Sequence, residues 1–373
     1  MNTSKIILVV IGTRPEAIKL APLIKLLSIH FKVFCICTGQ HSLSVIEILD
    51  LFQIKPTIIN THKKFKDINT QLNNYQKFIN IQITFFKPDL IIVHGDTTSC
   101  FAGALSGFFA KIPIAHIESG LRTQNKYAPF PEEMYRKWTD AVADLCFAPT
   151  SISKNNLINE GINPGKIFIT GNTIVDAITY VKNIISINEN QFASVVNKKP
   201  IPPNFILVTL HRNEIRDSKL EKLAIAICQI AKEKKYHILW PMHPNKIVSN
   251  IIRDVLTNQS HVIVTKSLDY KTFIGLIQKA KMIITDSGGI QEEASVMGKK
   301  ILILREETER PEVLENKSAI LAGTDHQKLS KYFTELENLD LDFENNTDIF
   351  GAGDATNKIV NAISNFFISS TSQ

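Results

Sequence analysis

Residues 6–19 have the sequence IILVVIGTRPEAIK, in which an uninterrupted apolar run is followed by a glycine and then by a helix-like stretch. A run that is apolar at every position is typical of a strand buried on both faces of a parallel sheet. Gly12 permits a tight turn, and Pro15 suits the first turn of a helix. The segment therefore predicts a strand–turn–helix unit of a doubly wound α/β fold.

The same alternation of short apolar runs and longer helix-like stretches continues along the chain. Strands are predicted at residues 6–11, 33–37, 90–93, 112–117 and 145–148, and in a second series at 205–210, 237–241, 262–264, 282–285, 301–304 and 319–321. Helices predicted between them include 17–27, 44–51, 69–86, 220–232 and 270–280. The sequence therefore predicts an α/β protein with two Rossmann-like doubly wound domains that face a cleft.

A polar, proline-containing stretch at residues 188–204 interrupts this alternation and predicts the end of a connection between domains. A last apolar-periodic stretch, 355–368, predicts a terminal helix. We assign residues 1–170 and the helix 355–373 to an N-terminal domain, and residues 171–354 to a C-terminal domain.

The composition excludes several classes of protein. The 373 residues are 44% hydrophobic and 21% charged, as in a packed protein of two domains. The net charge is +6, and the short lysine runs have no interleaved aromatics, so no nucleic-acid partner is expected. The five scattered cysteines predict reduced core thiols and no metal site. No apolar run near the start is long enough for a membrane span, and we expect a cytoplasmic protein without a membrane partner.

Polar residues follow several predicted strands, where this fold places its ligands. Arg14 and Lys19 follow the first strand and would reinforce a phosphate site made by the turn amides, although a turn with a salt-bridging arginine is an alternative. Asp96 and Glu118 end two later strands, and Glu132 opens a helix; the alternative for Asp96 is an N-cap. Acids gathered in this way suit general acid–base catalysis.

The second half of the chain has matching features. His211 and Arg212 follow one predicted strand, and His243 follows the next. Residues 285–294, TDSGGIQEEA, follow another strand and open a helix. Ser287-Gly288-Gly289 at that helix start predicts a phosphate cradle of backbone N–H groups. Two phosphate cradles indicate a nucleoside diphosphate that is linked to another group.

Together these motifs resemble the non-hydrolysing UDP-N-acetylglucosamine 2-epimerases, a family with the GT-B fold. Each motif is weak alone, but the set occurs in the family's order over most of the chain. The matching stretches are GTRPEAIK at 12–19, TGQH at 38–41, HGDT at 94–97, ESGLRT at 118–123, PEE at 131–133, TLHR at 209–212, HPN at 243–245, TDSGGIQEE at 285–293 and TERPE at 308–312.

The resemblance implies that UDP leaves UDP-GlcNAc to give 2-acetamidoglucal and then adds back to give UDP-ManNAc, with no cofactor. Such a product supplies ManNAc units for surface polysaccharide. The catalytic residues implied are Asp96, Glu118, Glu132 and His211. The UDP-binding and substrate-binding residues implied are Arg14, Lys19, Arg136, Ser287, Gly288, Gly289, Glu293 and Arg310. A second UDP-GlcNAc acting as activator would lie near Gln40, His41 and His243, and the family's habit suggests a homodimer.

Several alternatives remain at this point. Hydrolysing relatives release free ManNAc and UDP, but they usually lack the Arg14-Pro15-Glu16 segment. Departures from the family pattern, such as Asn213-Glu214-Ile215 after the His-Arg pair, leave room for a modified UDP-N-acetylhexosamine. A GT-B glycosyltransferase needs an acceptor site and no group of acids near C2. A nucleotide-sugar-binding regulator without turnover needs no catalytic acids.

Overall fold

The computed structural model describes residues 5–61, 65, 67–185, 201–210, 217–242, 252–256, 259–315, 317–339 and 349–370. The chain forms two compact units, Met1–Thr179 with Phe350–Gln373, and Tyr180–Ile349. Each unit has one parallel sheet with helices packed on it. The predicted α/β class with two Rossmann-like domains is confirmed.

The first unit contains a seven-stranded parallel sheet in the order β3-β2-β1-β4-β5-β6-β7. Its strands are β1 Ile6–Ile11, β2 Lys32–Cys37, β3 Ile58–Ile59, β4 Leu90–His94, β5 Ile114–Ile117, β6 Leu145–Ala148 and β7 Ile167–Ile169. Its helices begin with α1 Arg14–His30, α2 Ser42–Leu51, α3 Ile68–Phe86 and α4 Thr98–Phe109. They continue with α5 Glu132–Val142, α6 Ser151–Asn159 and α7 Thr173–Ile184, whose last residues enter the second unit.

The second unit contains a six-stranded parallel sheet in the order β10-β9-β8-β11-β12-β13. Its strands are β8 Phe205–Thr209, β9 His237–Pro241, β10 Val262–Thr265, β11 Met282–Thr285, β12 Lys300–Ile303 and β13 Ala319–Leu321. Its helices include α8 Asp217–Glu233, α9 Tyr270–Lys279, α10 Gly288–Val296, α11 Pro311–Glu315 and α12 Leu329–Glu337. The terminal helix, α13 Ala355–Ser370, returns to the first unit.

Burial on both faces of each sheet explains the unbroken apolar runs. Strand β1 lies between β2 and β4, with Ile7 opposite Val33 and Leu90, and Ile7 has no exposed surface. Each fully buried aliphatic side chain of this kind contributes about 1.5–3 kcal/mol. Because neighbouring strands are parallel, their carboxyl ends meet at one edge of each sheet, and the polar residues of interest begin at these edges.

The chain passes between the units at two segments that are joined within the first unit. The backbone N–H of Asn172 donates to the carbonyl of Phe350 at 2.7 Å. Asp176 Oδ1 accepts from the backbone N–H of Thr356 at 3.1 Å and from its hydroxyl at 2.6 Å. These bonds hold the start of α7 in the first unit. The structural division therefore falls after Thr179, later than the predicted end at residue 170.

Other features of the described residues bear on the sequence predictions. The five cysteines are buried and carry free thiols: Cys35, Cys37, Cys100, Cys146 and Cys228. Within the described part of the chain, no helix is both long and apolar enough to cross a bilayer. Most of the predicted connection between domains, residues 188–200, lies outside the described residues.

Candidate active site

The turn between β1 and α1 is organised by a buried carboxylate, Glu16. Its Oε2 accepts from the backbone N–H of Gly12 at 2.9 Å, from that of Thr13 at 2.6 Å, and from the Thr13 hydroxyl at 2.8 Å. Its Oε1 accepts from the hydroxyl of Thr97 at 2.7 Å. Burial raises the pKa of Glu16 to about 7, although these hydrogen bonds act to lower it. Two turn amides that were expected to face a phosphate therefore bind Glu16.

Gly12 is required by a close approach to α4 rather than by the turn itself. A Cβ at this position would overlap the hydroxyl of Ser99. Ser99 donates to Oε1 of Gln40 at 2.9 Å and contacts the hydroxyl of Thr38 at 2.7 Å. Of the residues predicted for an activator site, Gln40 is thus joined to the start of α4. His41 is exposed, and its backbone N–H donates to the Gly12 carbonyl at 2.9 Å.

Lys19 and Glu118 form a buried ion pair between α1 and the end of β5. The Lys19 ammonium contacts Glu118 Oε2, and the exposed fractions of the two side chains are 4% and 9%. His94, at the end of β4, places Nε2 3.6 Å from the same oxygen. Glu118 has a φ of 67°. This left-handed conformation costs a non-glycine residue about 1–3 kcal/mol and persists only where surrounding contacts hold it.

Asp96 follows β4 and is held by Arg136 of α5. The guanidinium donates to Asp96 Oδ2 from Nε at 2.9 Å and from Nη2 at 2.5 Å. Its Nη1 donates to Glu133 Oε2 at 3.0 Å, and that oxygen also accepts from the backbone N–H of Thr123 at 3.0 Å. The Asp96 side chain remains 28% exposed. Its carboxylate is therefore oriented by Arg136 while it stays open to solvent.

The N-cap of α4 is Thr97, whose hydroxyl accepts from the backbone N–H of Cys100 at 3.0 Å. The alternative that Asp96 caps this helix is therefore wrong. Glu132 is the first residue of α5 and is partly exposed, at the positive end of the helix dipole. Asp96 and Glu118 lie at the carboxyl ends of adjacent strands, β4 and β5.

A chain of polar side chains links β5 to α5 and to the end of α6. His116 Nδ1 lies 2.6 Å from Asp140 Oδ1, and Asp140 Oδ2 accepts from Arg122 Nη2 at 2.7 Å. Arg122 forms a further paired contact with Glu160, at 3.0 Å and 2.6 Å. Burial acts to raise the pKa of Asp140, but the charges and hydrogen bonds of His116 and Arg122 outweigh it and lower that pKa.

The second unit presents the start of α10 directly after β11. Ser287 is the N-cap residue of this helix, and its backbone N–H donates to the Thr285 hydroxyl at 3.0 Å. That hydroxyl also contacts the hydroxyl of Thr209, on the adjacent strand β8, at 2.8 Å. The two threonines thus connect the ends of neighbouring strands where the predicted phosphate cradle begins.

The two glycines that open α10 have different surroundings. A Cβ on Gly288 would lie 2.6 Å from Arg310 Nη1 and 3.1 Å from Glu309 Oε1. A Cβ on Gly289 would meet no atom of the described chain within 4 Å. Arg310 is buried, with Nε 2.5 Å from Glu292 Oε1 and Nη1 2.6 Å from Glu309 Oε1. The absence of a side chain at Gly288 therefore leaves room for the guanidinium, whereas Gly289 has no such neighbour among the described residues.

The remaining predicted residues are placed as follows. Glu293 lies in the second turn of α10 and is 6% exposed. Arg14 is the first residue of α1 and is partly buried. The predicted residues His211 and His243, with Arg212, lie outside the described residues. Among the residues that are described, no group of three or more His, Cys, Asp or Glu side chains is arranged to hold a metal ion.

Three features of the first unit were absent from the sequence predictions: the Glu16 anchor, the contact of His94 with Glu118, and the His116–Asp140 pair. A signal for the first is present, because Thr13-x-x-Glu16 is a capping-box pattern, and both of its reciprocal bonds form. The other two join residues on different elements, and no local pattern indicates them.

The chain is similar to known proteins over most of its length. A family model described as UDP-N-acetylglucosamine 2-epimerase matches residues 27–364. The UDP-N-acetylglucosamine 2-epimerase of Campylobacter jejuni is 39% identical over 377 residues, covering 96% of this chain and 97% of that protein. The corresponding protein of Neisseria meningitidis serogroup A is 36% identical over 371 residues, covering 96% of this chain and 98% of that protein.

Solved structures agree with the sequence matches. The crystal structure of the Neisseria meningitidis UDP-GlcNAc 2-epimerase bound to UDP-GlcNAc has a TM-score of 0.88 at 35% identity, covering 97% of this chain and 100% of that chain. The Methanocaldococcus jannaschii UDP-GlcNAc 2-epimerase in complex with UDP-GlcNAc and UDP gives 0.86 at 34% identity, covering 96% and 99%. Because the family model and these relatives match nearly the whole length, the chain belongs to the UDP-N-acetylglucosamine 2-epimerase family.

Proposed function

We propose that this protein catalyses the reversible, non-hydrolysing epimerisation of UDP-GlcNAc at C2 to give UDP-ManNAc. The observation that carries the proposal is the placement of two carboxylates, Asp96 and Glu118, at the ends of adjacent strands, each held by a buried cation. The substrate class is supported by similar proteins whose structures hold UDP-GlcNAc.

The proposed reaction has two steps. In the first, a carboxylate takes the C2 proton, the C1–O bond to the diphosphate breaks with its electron pair going to UDP, and a C1–C2 double bond forms in 2-acetamidoglucal. In the second, an oxygen of UDP attacks C1, and C2 takes a proton on the opposite face. Because the C2 proton is weakly acidic, departure of UDP must be well advanced as that proton leaves.

The proton transfers are assigned to the first unit. Asp96, Glu118 and Glu132 are the proposed acids and bases. Lys19 balances the charge of Glu118 through their buried ion pair, and Arg136 orients Asp96. Oriented carboxylates of this kind contribute about 10²–10⁴-fold to a rate.

Binding of UDP is assigned mainly to the second unit. The backbone N–H groups of Gly288 and Gly289, with the hydroxyl of Ser287, would face the diphosphate at the start of α10, and Glu293 would contact the ribose. Arg310 supports this helix start through its place beside Gly288. Arg14 and His211 would stabilise the charge that develops on the diphosphate, the latter also as a proton donor.

The test is turnover of UDP-GlcNAc in deuterated water, followed by proton NMR. We expect loss of the C2 proton signal, incorporation of deuterium at C2 and appearance of UDP-ManNAc. Asp96→Asn and Glu118→Gln should each lower kcat by about 10²–10⁴-fold. UDP binding, measured by calorimetry, should change little in either variant because neither residue is assigned to the nucleotide.

Three results would count against the proposal. No exchange at C2, even with added activator, would exclude the epimerase reaction. Accumulation of free ManNAc with UDP would assign the hydrolysing reaction instead. If the wild-type protein is an epimerase and both carboxylate variants keep near-normal rates, the acids are misassigned.

We also propose that a second UDP-GlcNAc activates the enzyme at a site that includes Gln40, His41 and His243. The placement of Gln40 supports this, because its side chain accepts from Ser99 near the start of α4, two residues after Thr97, which donates to Glu16. We expect the rate of the wild-type enzyme to depend sigmoidally on UDP-GlcNAc concentration, and this sigmoidal shape to be lost in Gln40→Ala. A hyperbolic dependence in the wild-type enzyme would contradict the proposed activation.

A homodimer is proposed from the exposed face of α3, α4 and α5. Helix α4 packs against both neighbours. Large apolar side chains remain exposed on these helices, including Phe85 at 76%, Phe108 at 54% and Trp138 at 47%. Apolar groups of this size commonly mark an interface. Sedimentation should give a dimer for the wild-type protein and a monomer for Phe85→Glu; a wild-type monomer would contradict the proposal.

The cellular role is proposed from the chemistry of the product. UDP-ManNAc is an activated sugar, and a glycosyl transfer that builds surface polysaccharide would consume it. We place the enzyme in the cytoplasm, and its five buried free thiols fit a reducing compartment. Deleting the gene should abolish ManNAc in surface polysaccharide hydrolysates, measured by chromatography; unchanged ManNAc content would contradict this role.

A further inference from the structure

The backbone of Gly95 is fastened to β5 through both of its polar groups. Its N–H donates to the carbonyl of Ile117 at 3.0 Å, and its carbonyl lies 2.8 Å from His116 Nε2. Cys100 Sγ lies 3.2 Å from the same carbonyl oxygen. The carbonyl carbon of Gly95 is bonded to the nitrogen of Asp96. Whatever fixes this carbonyl therefore fixes the peptide plane from which Asp96 projects.

Gly95 adopts a φ of 68°, a conformation open to glycine at little cost. A Cβ at this position would lie 3.8 Å from Glu118 Oε1, so side-chain crowding does not dictate the glycine. The carbonyl of this left-handed residue is the one that accepts from His116 Nε2. The left-handed conformation and the hydrogen bond from His116 therefore both act on the peptide that precedes Asp96.

His116 is locked on its other side. Its Nδ1 lies 2.6 Å from Asp140 Oδ1, and the residue has no exposed surface. Asp140 Oδ2 accepts from Arg122 at 2.7 Å and from the backbone N–H of Gly120 at 3.2 Å. A carbonyl oxygen can only accept a hydrogen bond, so Nε2 carries the proton in its contact with Gly95. Both ring nitrogens are therefore occupied, and the ring is closed to substrate.

Helix α5 reaches Asp96 by two routes. Arg136 binds the Asp96 carboxylate directly, at 2.5 Å and 2.9 Å. Asp140, one turn further along the same helix, holds His116, and His116 holds the peptide before Asp96. The first route orients the side chain, and the second orients the backbone. A carboxylate that must reach a carbon-bound proton needs both, because small errors in position reduce the rate steeply.

We propose that His116 is a positioning residue for catalysis, which orients Asp96 by donating a hydrogen bond to the Gly95 carbonyl. The inference rests on the proposed function only in so far as Asp96 takes part in the reaction. His116 itself touches no reacting atom, because its ring is fully buried between Gly95 and Asp140.

A matched pair of substitutions separates the two contacts of the ring. In His116→Asn the amide nitrogen replaces Nδ1, so the bond to Asp140 is kept and the bond to the Gly95 carbonyl is lost. In His116→Gln the amide nitrogen reaches the position of Nε2, so the bond to Gly95 is kept. We expect His116→Asn to lower kcat by about 10–100-fold with KM for UDP-GlcNAc within about twofold of wild type. His116→Gln should recover most of that loss.

Crystal structures of the two variants give a second measurement that does not need turnover. The Asp96 carboxylate should move by about 1 Å in His116→Asn and stay in place in His116→Gln. An unchanged kcat in His116→Asn would overturn the proposal. Equal losses of kcat in the two variants, matched by equal falls in their thermal midpoints, would also overturn it, because the histidine would then act only through stability. Displacement of Asp96 in a protein whose wild type lacks epimerase activity would leave the positioning role intact and reject the proposed function.

Discussion

The carboxyl edges of the two sheets hold their charged residues differently. In the first unit Asp96 and Glu118 each pair with a buried cation, since Lys19 contacts Glu118 and Arg136 contacts Asp96. In the second unit Arg310 is buried between two glutamates and lies against the first residue of α10. The first edge presents oriented carboxylates, and the second presents the amide end of a helix.

This difference separates two tasks within the proposed reaction. Oriented carboxylates can exchange protons with carbon, whereas helix amides can bind a diphosphate without any proton transfer. Changes at the first edge are therefore expected to lower kcat, and changes at the second to alter UDP affinity or stability. If changes at both edges altered kcat alone, or both altered UDP affinity alone, the two edges would not have separate tasks.

Among changes to the residues around these acids and to the start of α10, the largest effect is expected for Lys19→Met, which leaves the Glu118 carboxylate buried without its ammonium partner. Loss of one preorganised charge at a reacting group commonly costs about 10²–10³-fold in kcat. Steady-state kinetics with UDP-GlcNAc measure this loss, and calorimetry measures UDP affinity, which we expect to remain close to that of wild type.

Lys25→Met is a matched control on the same helix, because Lys25 is partly exposed and has no assigned role in the site. It should keep wild-type kcat. If Lys19→Met weakened UDP binding as much as it slowed turnover, the ion pair would belong to nucleotide binding. The proposed division between the two edges would then be wrong.

The next effect concerns the pH dependence of stability and isolates Glu16. Its carboxyl group keeps a proton up to a pKa of about 7 in the folded protein, against an ordinary value of 4.5. Below pH 4.5 the group is protonated in both states and costs nothing. As the pH rises through 4.5 to 7, folding loses stability, by on the order of 3 kcal/mol when complete.

Glu16→Gln should remove this dependence, because a glutamine can accept from the Gly12 and Thr13 amides and donate to Thr97. The free energy of unfolding in urea, compared between pH 5 and pH 8, should therefore fall further in the wild-type protein than in the variant. Other titrating groups cancel in the difference between the two proteins. Parallel pH profiles would mean that Glu16 is ionised in the folded state throughout this range.

In the first sheet the sequence predicted the strands in the middle better than those at the edges, whereas the edge strands of the second sheet, β10 and β13, were also predicted. β1 and β11 were predicted with their observed bounds, because burial on both faces makes them continuously apolar. β3 and β7 were missed, since Ile58–Ile59 and Ile167–Ile169 are short, partly exposed edge strands. A run of two or three apolar residues is a weak signal, although the equally short β13, Ala319–Leu321, was predicted.

The candidate site shows the same limit at the level of single contacts. The acids Asp96 and Glu118 were predicted, because a charged residue directly after an apolar strand is visible in the sequence. Lys19 and Arg136 were predicted as site residues, but their pairing with these acids was not, because Lys19 is 99 residues from Glu118 and Arg136 is 40 residues from Asp96. Only packing of α1 and α5 against the sheet brings these pairs together, and local sequence patterns do not encode it.

The smallest effect is expected where the two glycines of α10 are compared, and it tests the second edge directly. In Gly288→Ala the new Cβ meets the Arg310 guanidinium, which its ion pairs with Glu292 and Glu309 prevent from moving freely. We expect a loss of about 1–3 kcal/mol, seen as a thermal midpoint lower by roughly 4 °C. UDP present in excess should not restore the full difference.

Gly289→Ala provides the opposite outcome on the adjacent residue. Its Cβ meets no atom of the described chain within 4 Å, and alanine favours a helix, so the thermal midpoint should stay within about 1 °C of wild type. UDP affinity should fall by about tenfold, because the added methyl group lies where the proposal places the diphosphate. If Gly289→Ala bound UDP normally, the amide end of α10 would not be the nucleotide site. The comparison between the two edges would then rest on the first unit alone.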